Sequence, residues 1–198
     1  RCELVAVCDA VAPLDHYKPL KIFTDGEALI KSGAVDAVLI ATPHFQHTTL
    51  GIAALEAGVH AMVEKPISSH KADAERLIAV AQQHPRTVFG GMFQMRTEPR
   101  YQKVRKLITG GDLGQIVRLN WINTDWYRTE AYFASGGWRA TWKGEGGGVL
   151  LNQCLHNLDT LQWLAGMPRR VRGFCQLAGS TRSRWRTTSP PTWNGPTA

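Results

Sequence analysis

Short, nearly unbroken apolar runs alternate with amphipathic ones over the first half of the chain. Residues 4–8 (Leu-Val-Ala-Val-Cys) and 37–41 (Ala-Val-Leu-Ile-Ala) are continuous apolar stretches, the pattern of strands buried on both faces of a parallel sheet. Residues 60–63 and 87–93 read as two further strands. Between them, residues 25–32 are helical in pattern and stop at Gly33, and residues 46–57 stop at Gly58. Residues 69–83 are the strongest amphipathic segment, with Ala72, Leu77, Ile78 and Ala81 available as a core face. Strict alternation of strand and helix predicts an α/β domain, a parallel sheet covered by helices.

The pattern changes after about Met95. Residues 99–108 predict a helix stopped by Gly110 and Gly111, and 115–124 alternate like a long strand with one exposed face. Residues 127–143 are loop-like, 150–164 predict a helix ending at Gly166 with Pro168 beyond, and 171–177 predict one more strand. This half reads as α+β with a predominantly antiparallel sheet. The expected division is therefore 1–95, 96–177 and a tail, 178–198. That tail has no Val, Ile, Leu or Phe and is disordered by composition.

Composition narrows the function classes. With 198 residues and 43% hydrophobic content the chain can build a real core. Its apolar runs fall far short of the roughly 20 residues that a membrane-spanning helix needs, so no membrane partner is expected. Residue 1 is Arg, and Glu3 interrupts the first apolar run; no targeting segment is visible and the start looks cut. Cys2, Cys8, Cys154 and Cys175 show no CxxC spacing and read as reduced core thiols of a cytoplasmic protein, with no metal site. The formal charge of +7 is scattered apart from Arg182, Arg184 and Arg186 in the tail, which argues against nucleic-acid binding.

Ligands of doubly wound sheets sit at the carboxyl ends of the strands. Asp9 follows the first strand, where an acid can accept hydrogen bonds from an adenosine ribose or simply close a turn. Thr42-Pro43-His44 and Glu64-Lys65-Pro66 follow the next two strands, so these loops fall side by side. Lys65 is then poised over the crevice, unless it is an ordinary surface lysine. On the helix expected over 150–164, Asn152, His156 and Asp159 are spaced to share one face. His156 reads either as a proton acceptor or as a hydrogen-bonded structural histidine. Gly146-Gly147-Gly148 before it either lets backbone approach a ligand closely or is a flexible connection. Trp126, Arg128, Trp138 and Arg139, with Trp121, Asp125, Tyr127 and Trp142, offer stacking faces and charged donors to a polyhydroxylated substrate, or equally a protein interface.

Taken in order, Val5-Ala6-Val7-Cys8-Asp9, Ala41-Thr42-Pro43-His44 with His47, Ala54-Leu55-Glu56-Ala57-Gly58, Glu64-Lys65-Pro66 and Gly146-Gly147-Gly148-Val149-Leu150-Leu151-Asn152 through His156 to Asp159 resemble the Gfo/Idh/MocA oxidoreductases from Leu4 to about Leu177. The resemblance implies an incomplete Rossmann-type domain followed by a truncated substrate and oligomerisation domain. It implies that Asp9 binds the adenosine ribose, that Thr42, Pro43, His44 and His47 line the cofactor cleft, and that Glu64 and Lys65 sit beside the nicotinamide. Lys65 and His156 would then be the reacting pair on a sugar, cyclitol or related polyol. Asn152 departs from the Asp common at that place and leaves room for different chemistry. Asp9 favours NAD over NADP, because a carboxylate repels a 2′-phosphate.

The glycine-rich phosphate loop of such a domain is absent from the chain and would lie on a strand upstream of Arg1. The chain is therefore expected to be a fragment that binds cofactor poorly by itself, from a parent that forms a homo-oligomer. Residues 183–196 admit codons that, read in a shifted frame, encode an acidic strand-like segment, so a frameshifted translation is expected beyond about Leu177. The alternative reading is a non-catalytic, ligand-binding remnant of the same family.

Overall fold

Strands of the first unit are short and all pair in parallel, because helical crossovers connect most of them and return the chain to the same starting edge. A computed structural model describes residues 2–123, 129–135, 137–138 and 141–174, divided into one unit ending at Gln94 and a second beginning at Met95. The first contains β1 (Ala6–Cys8), β2 (Lys21–Phe23), α1 (Gly26–Lys31), β3 (Ala37–Ile40), α2 (His44–Glu56), β4 (His60–Val63), α3 (Lys71–Gln83) and β5 (Phe89–Gly91). β1 pairs with β2, Ala6 opposite Lys21. β3, β4 and β5 form a second ladder, with Ala37 opposite His60 and Ala61 opposite Phe89. The two ladders share no strand pairing but do share a core. Leu29 and Ile30 of α1, Ala54 of α2, Val59 and Ala61 are buried together, and Ala6, Phe23, Val38 and Phe89 pack against them from both ladders.

Local chemistry explains the helices. The Asp25 carboxylate accepts from the Ala28 N–H at 2.6 Å and caps α1, satisfying a donor that the first turn leaves open. A Cβ on Gly51 would meet Leu77 at 3.1 Å, so this glycine lets α2 lie close against α3. Leu55, Leu77 and Val63 are fully buried around that contact.

Several expectations need correction. β3 is not buried on both faces: Val38 and Ile40 turn inward, whereas Ala37 is exposed and Leu39 is 62% exposed. Helices α1 and α2 pack on the strands and α3 packs on α2, while Leu39 of β3 and Met62 of β4 stay exposed. β2 was not legible, since two of its three residues are exposed and only the ladder to β1 defines it. The inward face of α3 centres on Leu77, flanked by the half-buried Ala74 and Ala81; Ala72 and Ile78 are exposed. Cys2 and Cys8 are exposed free thiols rather than core ones, and Cys154, also free, is half-buried.

The second unit contains α4 (Pro99–Thr109), α5 (Glu130–Ser135), α6 (Trp142–Glu145) and α7 (Leu155–Ala165), with α4 packed on α7. The expected antiparallel sheet is not formed among its described residues. Residues 115–123 and 171–174 are irregular, with Val117 93% and Ile122 82% exposed. Alternation alone does not make a strand; a ladder partner is required, and none is present among the described residues. The stretch expected to be a loop holds α5 and α6, and α7 begins at Leu155 instead of residue 150. The tail, Cys175, Trp126, Arg128 and Arg139 lie outside the described residues. No helix of the described residues is long and apolar enough to cross a membrane.

Leu55 is fully buried, so Leu55→Ala leaves a cavity that its neighbours only partly fill. Urea unfolding is expected to show a loss of about 2–5 kcal/mol. A loss below about 1 kcal/mol would mean that the α2 face is not packed as described.

Candidate active site

Parallel pairing places the ends of β1, β3, β4 and β5 on equivalent edges of their ladders, and the polar residues that follow them inherit that position. After β1, the Asp9 carboxylate folds back on its own loop. Its Oδ1 accepts from the N–H groups of Val11 at 2.8 Å and Ala12 at 2.9 Å. These two backbone donors hold the carboxyl below the usual aspartate range, Ala12 contributing most. Asp9 therefore closes a turn, and Oδ2 is the oxygen that these bonds do not use.

After β3 the chain runs through Thr42 into Pro43, which stands at the N-cap of α2, and His44 opens the helix in a buried position. After β4 come the half-buried Glu64 and Lys65 and the buried Pro66, joined to Lys65 by a cis peptide. The Glu64 carboxylate accepts from the Lys65 N–H at 3.1 Å. His47, one turn into α2 and 1% exposed, joins the two loops. Its Nδ1 lies 2.6 Å from the Pro66 carbonyl and its Nε2 2.7 Å from the Thr42 carbonyl. Both partners are backbone carbonyls, which only accept, so a ring nitrogen that bonds one of them does so through an N–H. His47 thus acts on this edge by tying loop to loop. The Thr42 hydroxyl is buried and has no hydrogen-bond partner among the described residues.

In the second unit the structure separates residues that the sequence grouped on one helical face. Asn152 lies in the turns before α7, with its N–H donating to the Gly148 carbonyl at 3.2 Å. Its side-chain Nδ2 donates to Oε1 of Glu145, a residue 1% exposed at the end of α6. His156 is in the first turn of α7 and half-buried. Asp159 turns to Arg96, taking Nε at 2.8 Å and Nη2 at 2.5 Å in a two-pronged pair that raises the proton affinity of the guanidinium. Arg105 donates to the Trp163 carbonyl, and both guanidiniums lie within 6 Å of the Trp163 ring centre, at 5.8 and 5.7 Å. These contacts anchor the helix that carries His156.

The approach to Glu145 is built locally. Trp138, half-buried, offers its carbonyl to the Thr141 hydroxyl at 2.8 Å, and Thr141 Oγ1 accepts from the Gly144 N–H at 3.0 Å. A Cβ at Gly144 would lie 1.9 Å from the Trp138 carbonyl oxygen, so only glycine fits there. Glu145 and Arg96 were missed by sequence reasoning. The only signal for Glu145 was an acid directly before a glycine run; Arg96 carried none.

Two outcomes follow from this geometry. His47→Gln cannot reach both carbonyls and leaves a buried acceptor unmet, with an expected loss of about 1–3 kcal/mol in urea unfolding; an unchanged midpoint contradicts the tie. A carbon-detected titration is expected to find the Asp9 carboxyl below ordinary aspartates. Because its folded value is lowered, the ordering it gives the 9–12 loop is complete above the ordinary value and is lost as pH falls through the lowered one. Titration at the ordinary aspartate value would contradict the two bonds.

Residues 4–92 match the model of an oxidoreductase family with an NAD-binding Rossmann fold, and residues 101–189 match the GFO/IDH/MocA C-terminal domain. The chain is 29% identical over 157 residues to an inositol 2-dehydrogenase of Corynebacterium glutamicum, covering 79% of this chain and 43% of that protein. It is 31% identical over 176 residues to a D-glucoside 3-dehydrogenase of Escherichia coli, covering 84% and 47%. The WlbA dehydrogenase of Bordetella pertussis, solved with NADH and UDP-GlcNAcA, superposes with a TM-score of 0.72 at 28% identity, over 84% of this chain and 52% of that one. The chain spans about half the length of the relatives it matches. With both of the family's domain models matched in order along one polypeptide, the chain belongs to the GFO/IDH/MocA oxidoreductase family.

Proposed function

We propose that the protein to which this chain belongs is an NAD-dependent dehydrogenase of a sugar, cyclitol or related polyol, with Lys65 and His156 as the reacting pair. The observation that carries the reading is the edge after β1, β3 and β4, where Asp9, Thr42, Pro43, His44, Glu64 and Lys65 follow parallel strands and His47 bonds two of their loops together. The residues fit a dinucleotide: Thr42 keeps a buried hydroxyl without a partner among the described residues, and Asp9 keeps a carboxylate oxygen outside its turn. Asp9 would receive the adenosine ribose hydroxyls and disfavour a 2′-phosphate. The nicotinamide, when bound, accepts hydride.

The chain's own groups do the rest. Lys65 holds the substrate hydroxyl and offers positive charge to the oxygen as negative charge builds on it. His156 takes the hydroxyl proton, which an alcohol must be losing for its C–H hydride to leave. The electron pair of that C–H bond goes with the hydride, and the carbon becomes a carbonyl. Asn152, Trp126, Arg128, Trp138 and Arg139 belong to the substrate side of this reading. Exposed Val117, Ile122, Val171 and Phe174 support a sheet surface in the second unit that further strands or a second subunit would cover, the antiparallel sheet and homo-oligomer of the family resemblance. Among the described residues one edge each of β1 and β3 has no strand paired to it, which supports one more parallel strand between the two ladders, the place from which a glycine-rich turn would reach the pyrophosphate. The free thiols of Cys2, Cys8 and Cys154 among the described residues suit a reducing, cytoplasmic setting.

The test uses the polypeptide expressed from the whole reading frame that encodes this chain. NADH is expected to bind in a fluorescence titration, and a polyol panel is expected to give NADH formation. Lys65→Met and His156→Ala should each lower kcat by about 100-fold or more. Binding without turnover on a broad panel favours the non-catalytic alternative, and turnover insensitive to both substitutions overturns the assignment of the pair.

A further inference from the structure

The starts of β3 and β4 lie at the opposite end of their ladder from Thr42 and Lys65, and a cavity of about 460 Å³ opens there within the first unit. That size falls in the range of roughly 300–1,000 Å³ that small-molecule sites occupy. Ile30, Val35 and Val59 give the cavity an apolar wall, and Lys31 and Asp36 stand on its lining.

The charge around it is one-sided. Helix α2 runs for 13 residues and ends at the rim with no basic side chain in its last turn, so the negative end of its dipole has no counter-charge from its own sequence. Gly58, at φ 76°, turns the chain there, and the N–H groups of Gly58 and Val59 close on the carbonyls of Leu55 and Ala54 at 3.1 and 2.9 Å. Asp36, the residue before β3, accepts from the His60 N–H through its carbonyl at 2.9 Å. Its carboxylate is exposed and makes no hydrogen bond or ion pair among the described residues. Lys31 does not answer it, because its ammonium lies 2.7 Å from Oε2 of Glu27, which raises the lysine's proton affinity with Asp25 and Glu56 adding to the effect. His60 Nδ1 accepts from the Val88 N–H at 2.9 Å, so the ring ties β4 to the approach to β5. The result is a local excess of negative charge beside an apolar wall, in a chain whose formal charge is +7.

We propose that this cavity is a binding site for a small aliphatic ammonium ion, its charged head against Asp36 and the end of α2 and its hydrocarbon stem over Val35, Val59 and Ile30. The site stands apart from the edge that carries Lys65 and does not depend on the polyol reading. An anion meets Asp36 and the helix end with the wrong sign. A neutral alcohol of the same length covers the wall but gains nothing from the charge. Because the net charge of the chain repels cations at large, an amine that binds reports this local field rather than general attraction.

The experiment titrates n-pentylamine, 1-pentanol and pentanoate against the polypeptide from the whole reading frame at low ionic strength, followed by ligand-observed NMR. Pentylamine is expected to bind with a Kd of about 1 mM or tighter, and the alcohol and the carboxylate about tenfold or more weaker. Asp36→Asn should weaken pentylamine about fivefold or more, and raising the salt to about 0.5 M should do the same. Ala57→Lys sets a tethered ammonium on the rim at an exposed helix end and should compete to a similar degree. Both variants are expected to keep the thermal unfolding midpoint within about 2 °C, so that lost binding is not lost structure. If Asp36→Asn does not fold, Ala57→Lys decides alone. Pentanol bound as tightly as pentylamine, pentylamine binding that no folded variant weakens, or no pentylamine binding up to about 20 mM overturns the site.

Discussion

Direction of strand pairing is the constraint on which the first unit depends. Parallel ladders send every strand to the same edge, so residues separated by many positions in the chain, Thr42 and Lys65 among them, arrive as neighbours. Adjacency alone leaves loops free to move. His47 supplies what the ladders do not: a buried ring from the first turns of α2 whose two nitrogens meet the carbonyls of Thr42 and Pro66. The loop that carries Lys65 is thereby tied to the loop that opens α2, and the polar edge has a defined shape before any ligand arrives.

The second unit solves a different problem, that of fixing a helix with few strands to lean on. Arg96 grips Asp159 and Arg105 grips the Trp163 carbonyl, while both guanidiniums lie near the same indole. Ahead of the helix, Thr141, Gly144 and Gly146 shape a tight approach that ends in Glu145 and Asn152. Groups on both flanks of His156 are thus held by charge-assisted bonds, the kind that cost most to break when buried.

Much of the first unit was legible because its signals are local. The apolar runs at 37–40 and 60–63, the Asp25 cap and the glycines after α1 and α2 each depend on a few neighbouring residues. What escaped depends on partners far along the chain. β2 has no pattern of its own and exists through β1. Exposure of Leu39 depends on what covers the sheet, which a run of apolar letters does not encode. Position 9 was read with both a turn and a ribose in view, and the structure shows the turn. Grouping Asn152, His156 and Asp159 on one helical face failed because α7 starts three residues after Asn152, and because Asp159 answers to Arg96, 63 positions away. His47 was singled out by its place in a motif, but that it bonds two carbonyls became visible only with the loops in position.

The most direct test of this account is the nitrogen spectrum of the His47 ring in protein labelled at histidine, assigned by comparison with His47→Gln. A slowly exchanging, downfield ring proton coupled across a hydrogen bond to the carbonyl of Thr42 or Pro66 is the predicted result. Ring protons that exchange freely with water and couple to neither carbonyl would show that the two loops are not held together in this way.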